Sequence, residues 1–166
     1  MGKDLTIALV SASAESPVAV CMLDMNGLKQ INDTVGHAAG DAAIDTYLKS
    51  VAVFLGDDAE GYRGDGGDEL VVVARGVTAV DAATLMRRAL TQLAKEKVEG
   101  VPFLSASCGV TASTDPNTDT KEILKRVDRI QYRAKEVSKR RSPRPSVLAV
   151  DDAPVEVLPG PSSGER

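Results

Sequence analysis

Arg63-Gly64-Asp65-Gly66-Gly67-Asp68-Glu69-Leu70 places three acids and three glycines in one short stretch and runs directly into Val71-Val72-Val73. A glycine-rich turn feeding a β-branched run predicts the tip of a β-hairpin. Adjacent carboxylates repel, so Asp68 beside Glu69 on a tight turn calls for a compensating cation or a function. Two explanations compete: a divalent metal, or a plain solvated turn, since Asp and Gly favour turns in any protein.

A second acidic position lies upstream. Pro17-Val18-Ala19-Val20-Cys21-Met22-Leu23 is an almost unbroken apolar run that ends on Asp24-Met25-Asn26. Such a run predicts a buried central strand with a carboxylate at its carboxyl end, where ligands of α/β sheets gather. Two strands paired side by side would bring Asp24 close to Asp68 and Glu69, a carboxylate grouping of the kind magnesium takes.

The rest of the chain fits one α/β (α+β) domain over residues 1–150, followed by a Pro/Gly/Ser-rich tail over 151–166 that is expected to be disordered. With 166 residues and 43% hydrophobic content, there is enough apolar material for a proper core. Aromatic residues make up only 3% and the net charge is −4, which argues against stacked-ring or bulk electrostatic binding of DNA or RNA. Cys21 and Cys108 fall inside apolar strand patterns and are read as buried thiols in a reducing cytoplasm. No apolar run approaches a membrane span, and the amino terminus is too short in hydrophobic residues for a secretion signal, so a cytoplasmic location is expected.

Periodicity predicts a short helix or strand near Leu5 to Ser13, a strand from Val18 to Leu23 and a helical turn from Leu28 to Val35. A helix from about Ala38 to Leu55 should stop at Gly56, and Thr78 with Asp81 should cap one running to about Lys97. A strand from Phe103 to Ala112 is expected to precede a final helix from about Asp119. Ser146 to Val150 offers a closing strand.

The segment from Asp24 to Asp41 carries D-M-N-G-L-K-Q-I-N-D-T-V-G-H-A-A-G-D. Together with the hairpin, the late helix Asp128-Arg129-Ile130-Gln131-Tyr132-Arg133-Ala134-Lys135-Glu136-Val137-Ser138-Lys139 and the Ser107-Cys108-Gly109-Val110 element, it resembles the GGDEF domain, the catalytic domain of diguanylate cyclases. In that family a D-x-[DN]-x-[FL]-K-x-[IV]-N-D-x-x-G-H-x-x-G-D block precedes a GG[DE]EF hairpin and a D-x-x-L-Y-x-A-K-x-x-G-R helix. The set covers roughly Pro17 to Val150 in the family's order. The resemblance implies a palm-like fold, with a mostly antiparallel central sheet of about five strands flanked by helices. It also implies condensation of two GTP into cyclic di-GMP and pyrophosphate by a homodimer that uses magnesium or manganese.

Carried over position by position, the resemblance makes Asp24 and Asp68 side-chain metal ligands and Met25 a ligand through its backbone carbonyl. Glu69 becomes the residue for metal binding or for deprotonating the 3′-hydroxyl. Asn32 and Asp41 become guanine readers, and an Asp suits the donor pair that guanine has and adenine lacks. Lys29, Lys135 and Lys139 match phosphate contacts, although a basic helix face is commonly just solvated. His37 matches a substrate-site position and could equally brace the turn from Gly36 to Gly40.

Several departures stand beside the resemblance. One extra residue separates Arg63 from the glycine pair, Leu70 replaces a phenylalanine, and the late helix has Gln131, Ser138 and Lys139 for Leu, Gly and Arg. Lys139 keeps the charge without the bidentate fork. Asp57-Asp58-Ala59-Glu60 stands where the family's R-x-x-D product-binding motif would be, so no inhibitory site is expected. The amino terminus is short against the family pattern, and a lone domain would have to find its twin unaided. Two alternatives follow: a catalytically silent GTP-binding module that regulates a protein partner, or a related cyclase making another nucleotide.

Overall fold

Val18–Met25 forms β1 at an interior position of a six-stranded sheet, and seven of its eight residues are buried. The computed structural model describes residues 1–64 and 66–160. β1 pairs antiparallel with β3 (Glu69–Arg75) on one side and with β4 (Ala106–Ser113) on the other. β2 (Ala59–Arg63) lies outside β3, while β5 (Val147–Val150) runs parallel to β4 and carries β6 (Glu156–Val157) at its far edge. The strand order is therefore β2-β3-β1-β4-β5-β6. Five helices flank this mostly antiparallel sheet: α1 (Gly2–Val10), α2 (Leu28–Thr34), α3 (His37–Ala52), α4 (Ala79–Leu93) and α5 (Thr120–Lys139). The one parallel pair, β4 with β5, is joined through α5, as a parallel connection requires.

Strand alternation divides β1 between two cores. Ala19, Cys21, Leu23 and Met25 pack into the larger cluster with Ile44, Tyr47, Met86 and Leu90 of α3 and α4. Val18 and Val20 point the other way, into a cluster with Leu5 and Leu9 of α1 and Ile123 and Val127 of α5. The same alternation sends Asp24 toward α5. Each core aligns with the helical period that marked it in the sequence, and the ambiguous amino-terminal segment is a helix because Leu5, Ala8 and Leu9 bury one stripe of it.

Capping sets the helix starts. Thr78 Oγ1 accepts from the Asp81 amide at 3.1 Å, and Asp119 accepts from the amides of Lys121 and Glu122 at 2.9 and 3.1 Å. α3 ends at Ala52 rather than Leu55, and α4 ends at Leu93 rather than Lys97. β4 begins at Ala106 rather than Phe103, and the Asn26 amide, donating to the Ser105 carbonyl at 2.8 Å, carries its pairing with β1 one residue further.

α5 lies unusually close to β4 at Gly109. A Cβ there would sit 2.4 Å from the backbone nitrogen of Gln131 and 2.8 Å from its Cα, so only glycine admits the helix at this height. The contact is what places the next turn of α5, with Lys135, over the end of β1.

The stretch expected to be a disordered tail is ordered over its first ten residues, and it supplies the sixth strand. Val157 and Glu156 pair with Val147 and Leu148, and Leu158 is buried. Arg87 of α4 donates to both carboxylate oxygens of Glu156 at 2.8 to 3.1 Å. The alternation of Val155 and Val157 with polar neighbours was masked by the proline and glycine around it. Residues 161–166 lie outside the described residues.

Candidate active site

The carboxyl end of β1 and the start of β3 bring the acids together. In register, Asp24 stands opposite Glu69 on β3 and opposite Ser107 on β4, and the Met25 amide donates to the Asp68 carbonyl at 2.9 Å. Directly opposed residues share a face, so Asp24 and Glu69 project to the α5 side. The hairpin keeps its register to Arg63 opposite Leu70, and Gly64 donates to the Glu69 carbonyl at 2.9 Å. Arg63 folds back over this tip, its Nε donating to the Gly67 carbonyl at 3.2 Å.

Asp24 is the buried acid of the site, 6% exposed. Lys135 Nζ donates to its Oδ2 at 2.6 Å, across the gap between β1 and α5. Burial raises the Asp24 pKa, the Lys135 bond and charge oppose that shift, and the Asp68 charge adds to it. Asp68 is half-buried and Glu69 is exposed, with its side chain lying against Gly64.

Beside these acids opens a cavity of about 520 Å³, lined among others by Asp24, Asp68, Lys29, Lys135, Lys139 and Arg144. Lys139 reaches Glu136 at 3.2 Å. Asn26 braces the floor: it accepts from Ser107 Oγ at 2.8 Å and donates to Ser105 Oγ and to the Pro145 carbonyl, both at 3.1 Å. Neither Asn26 as a bracket nor Arg144 as a lining cation was read from the sequence. The signal for Arg144 was the basic run from Lys139 to Arg144, which periodicity could not assign to an element.

The remaining candidates lie on the α2–α3 side. The Asn32 side chain nests against Gly40, where a Cβ would stand 1.8 Å from its Oδ1. Asp41 follows on the exposed face of α3, and His37 is exposed at the first position of that helix. The N-cap of α3 is Gly36, which has no side chain to cap the helix. Among the described residues, no group of three His, Cys, Asp or Glu side chains comes together in the manner of a preformed metal site. Cys21 and Cys108 are buried free thiols, and burial pushes Cys21 up to about 12. Among the described residues no helix is long and apolar enough to cross a membrane.

Comparison with known proteins matches this arrangement to one family. The model of the diguanylate cyclase GGDEF domain matches residues 1–141. The probable diguanylate cyclase DgcC of Escherichia coli K12 is 33% identical over 124 residues, which are 73% of this chain and 33% of DgcC. The cyclic di-GMP phosphodiesterase PdeR of the same strain is 28% identical over 136 residues, which are 81% of this chain and 20% of PdeR. This chain thus spans a third or less of the length of these two relatives. Among solved structures, the GGDEF domain of DgcB from Caulobacter crescentus in complex with c-di-GMP superposes with a TM-score of 0.76. That match covers 91% of this chain and 88% of the other at 19% identity, a likeness of fold. Sequence motifs, sheet order and family match coincide on one conclusion: the chain belongs to the diguanylate cyclase GGDEF domain family.

Proposed function

We propose that this domain is a diguanylate cyclase dependent on magnesium or manganese, which condenses two GTP, one from each of two facing copies, into cyclic di-GMP and pyrophosphate. The observation that carries this reading is the placement of buried Asp24 beside Asp68, in register with Glu69, at the mouth of a cavity lined by Lys29, Lys135 and Lys139. The donor set fits the ion: two carboxylates and the Met25 carbonyl are hard oxygens, and magnesium is commonly held by one or two carboxylates with substrate phosphates completing the shell. When bound, the ion supplies charge that stabilises the transferring phosphoryl group and the departing pyrophosphate.

The side chains divide the remaining work. Glu69, exposed beside Asp24, accepts the proton of the 3′-hydroxyl as that oxygen attacks the α-phosphorus and the bond to pyrophosphate breaks. Lys135 exchanges Asp24 for a phosphate oxygen, and Lys29 and Lys139 neutralise the rest of the chain of phosphates. Asn32 and Asp41 read the guanine edge.

Incubation with GTP and magnesium at several protein concentrations tests the proposal. Because each copy holds one GTP, product should form faster than in proportion to protein concentration. A strictly linear rate, over concentrations at which sedimentation shows the protein to be monomeric, would remove the two-copy mechanism. A second reading, a silent GTP-binding module, is favoured by the 2.6 Å clasp of Lys135 on Asp24 and by the lack of a preassembled acid triad among the described residues. Binding of GTP with no turnover at any concentration would select it.

Gly40→Ala probes the guanine side. The new methyl forces the Asn32 amide out of its nest, whereas alanine in a helix gains on the order of 1 kcal/mol over glycine. GTP affinity should fall about tenfold, the size expected for loss of one good hydrogen bond, with the melting temperature unchanged or raised. Unaltered selectivity for GTP over ATP would clear Asn32 of any part in base recognition.

A further inference from the structure

We propose that the loop between α5 and β5 adds a phosphate-binding subsite to the cavity, with Arg144 as its principal contact and the terminal phosphates of a nucleoside triphosphate as its ligand. The inference rests on the cyclase reading only for the identity of the nucleotide. Its physical basis is the distribution of charge around Asp24.

The cavity wall holds four cations: Lys29, Lys135, Lys139 and Arg144. Two are already engaged with carboxylates, Lys135 with Asp24 at 2.6 Å and Lys139 with Glu136 at 3.2 Å. Among the described residues, neither Lys29 nor Arg144 forms an ion pair. An incoming anion therefore meets two uncompensated charges. Of the two, only Arg144 presents a planar fork that fits a phosphate in bidentate fashion.

The loop is built to hold this residue in place. The Arg144 carbonyl accepts from Ser105 Oγ at 2.8 Å, and the next carbonyl, of Pro145, accepts from Ser138 Oγ at 2.8 Å and Asn26 Nδ2 at 3.1 Å. Pro143 and Pro145 flank it and restrict the backbone on both sides. The main chain around Arg144 is thus tied to Ser105 just ahead of β4, to α5 and to the Asn26 bracket at the end of β1. The side chain meanwhile remains exposed.

Arg144 also borders a second cavity of about 660 Å³, which shares Asn26, Gly27, Gln30, Thr34 and Lys139 with the first and is lined by Arg141 as well. The guanidinium therefore stands at the junction of the two spaces. A phosphate chain that begins at Asp24 and Asp68 and outgrows the first cavity would pass this point. This predicts that Arg144 senses the number of phosphates, contributing to GTP and to inorganic pyrophosphate but not to GMP.

Calorimetric titration of the protein with GMP, GTP and inorganic pyrophosphate, each with magnesium, tests the assignment. Arg144→Ala should weaken GTP and pyrophosphate about tenfold, the size expected for a charge-assisted bond, and leave GMP unchanged. Arg144→Lys should recover part of the loss, and Arg141→Ala, at a residue that lines the second cavity but not the one that holds Asp24, should bind GTP and pyrophosphate as the parent does. A melting temperature held by Arg144→Ala separates a lost contact from a loosened loop. Equal GTP and pyrophosphate affinity in Arg144→Ala and the parent would overturn the subsite, as would an equal loss in Arg141→Ala, which would mark bulk charge as the cause. A parent that binds GTP through Arg144 yet forms no cyclic di-GMP would uphold the subsite and discard the cyclase. A parent that binds neither GTP nor pyrophosphate would discard both.

Discussion

Asp24→Asn is expected to abolish cyclic di-GMP formation, by at least about a hundredfold, while leaving the isolated domain as stable as the parent or more so. The activity loss follows from the proposed role: an amide oxygen is a weaker ligand for a divalent ion than a carboxylate, and it cannot share charge with Asp68. The stability side follows from burial. Asp24 is 6% exposed, and its pKa lies above the ordinary value of 3.8 because desolvation outweighs the help from Lys135. A carboxyl with a folded pKa above its unfolded one stabilises the fold only below the unfolded value. That contribution disappears as pH rises through the folded pKa. At neutral pH the ionised Asp24 is therefore a burden, and an uncharged isostere lifts it.

The matching pH series, in buffer without divalent cations, carries the sign. From pH 4 upward the parent should lose the part of its stability that Asp24 contributes when protonated, and Asp24→Asn should lack that component. Lys135→Met should show it enlarged, because removing the ammonium leaves the buried charge without its partner. A parent and an Asp24→Asn variant with superimposable stability profiles across that range would show that Asp24 is not strained in the fold.

Gly109→Ala is the second large effect, and it concerns architecture rather than chemistry. The added Cβ meets backbone atoms of Gln131 at 2.4 and 2.8 Å, and neither a strand in the middle of a sheet nor the middle of a long helix yields easily. Overpacking of this kind costs about 3 kcal/mol, equivalent to a fall on the order of 10 °C in melting temperature for a domain of this size. The same displacement would lift Lys135 off Asp24. Thermal melts decide the matter: a change smaller than about 2 °C would mean that α5 rides on β4 more loosely than the contact implies.

How far the sequence discloses this molecule depends on the range of each contact. β1 and the hairpin were readable because an apolar run, a terminal acid and a glycine turn are all local, and the pairing of Asp24 with Glu69 follows from setting two adjacent strands in register. The opposite holds for Lys135. Its helix face was plain from spacing, but its partner Asp24 lies 111 residues away, and only the height of α5 over Gly109 brings them together. A lysine read as a phosphate contact is, in the protein without ligand, the counter-charge of a buried acid.

Asn32 and Asp41 show a different limit. Their identities fit guanine, yet they do not line the cavity that contains Asp24, because α2 and α3 set them on another side of the Asp24 to Asp41 segment. Spacing gives the helix, not the direction in which a side chain leaves it. β6 was hidden for a compositional reason: two hydrogen-bonded residues between Pro154 and Pro159 look like linker until Arg87 is seen gripping Glu156. Arg144 escaped because its place depends on hydrogen bonds from Ser105 and Asn26, which lie far from this loop in the chain.

The two outer strands have a consequence for how copies of this molecule can meet. β6 offers only two residues and is bounded by prolines, and β2, at the other margin, exposes Glu60 and Arg63. Short, charged and proline-flanked margins discourage a neighbouring strand from docking and extending the sheet. Growth into an open ribbon through either margin of the sheet is thereby disfavoured, which leaves the helices and loops as the surfaces open to a neighbour.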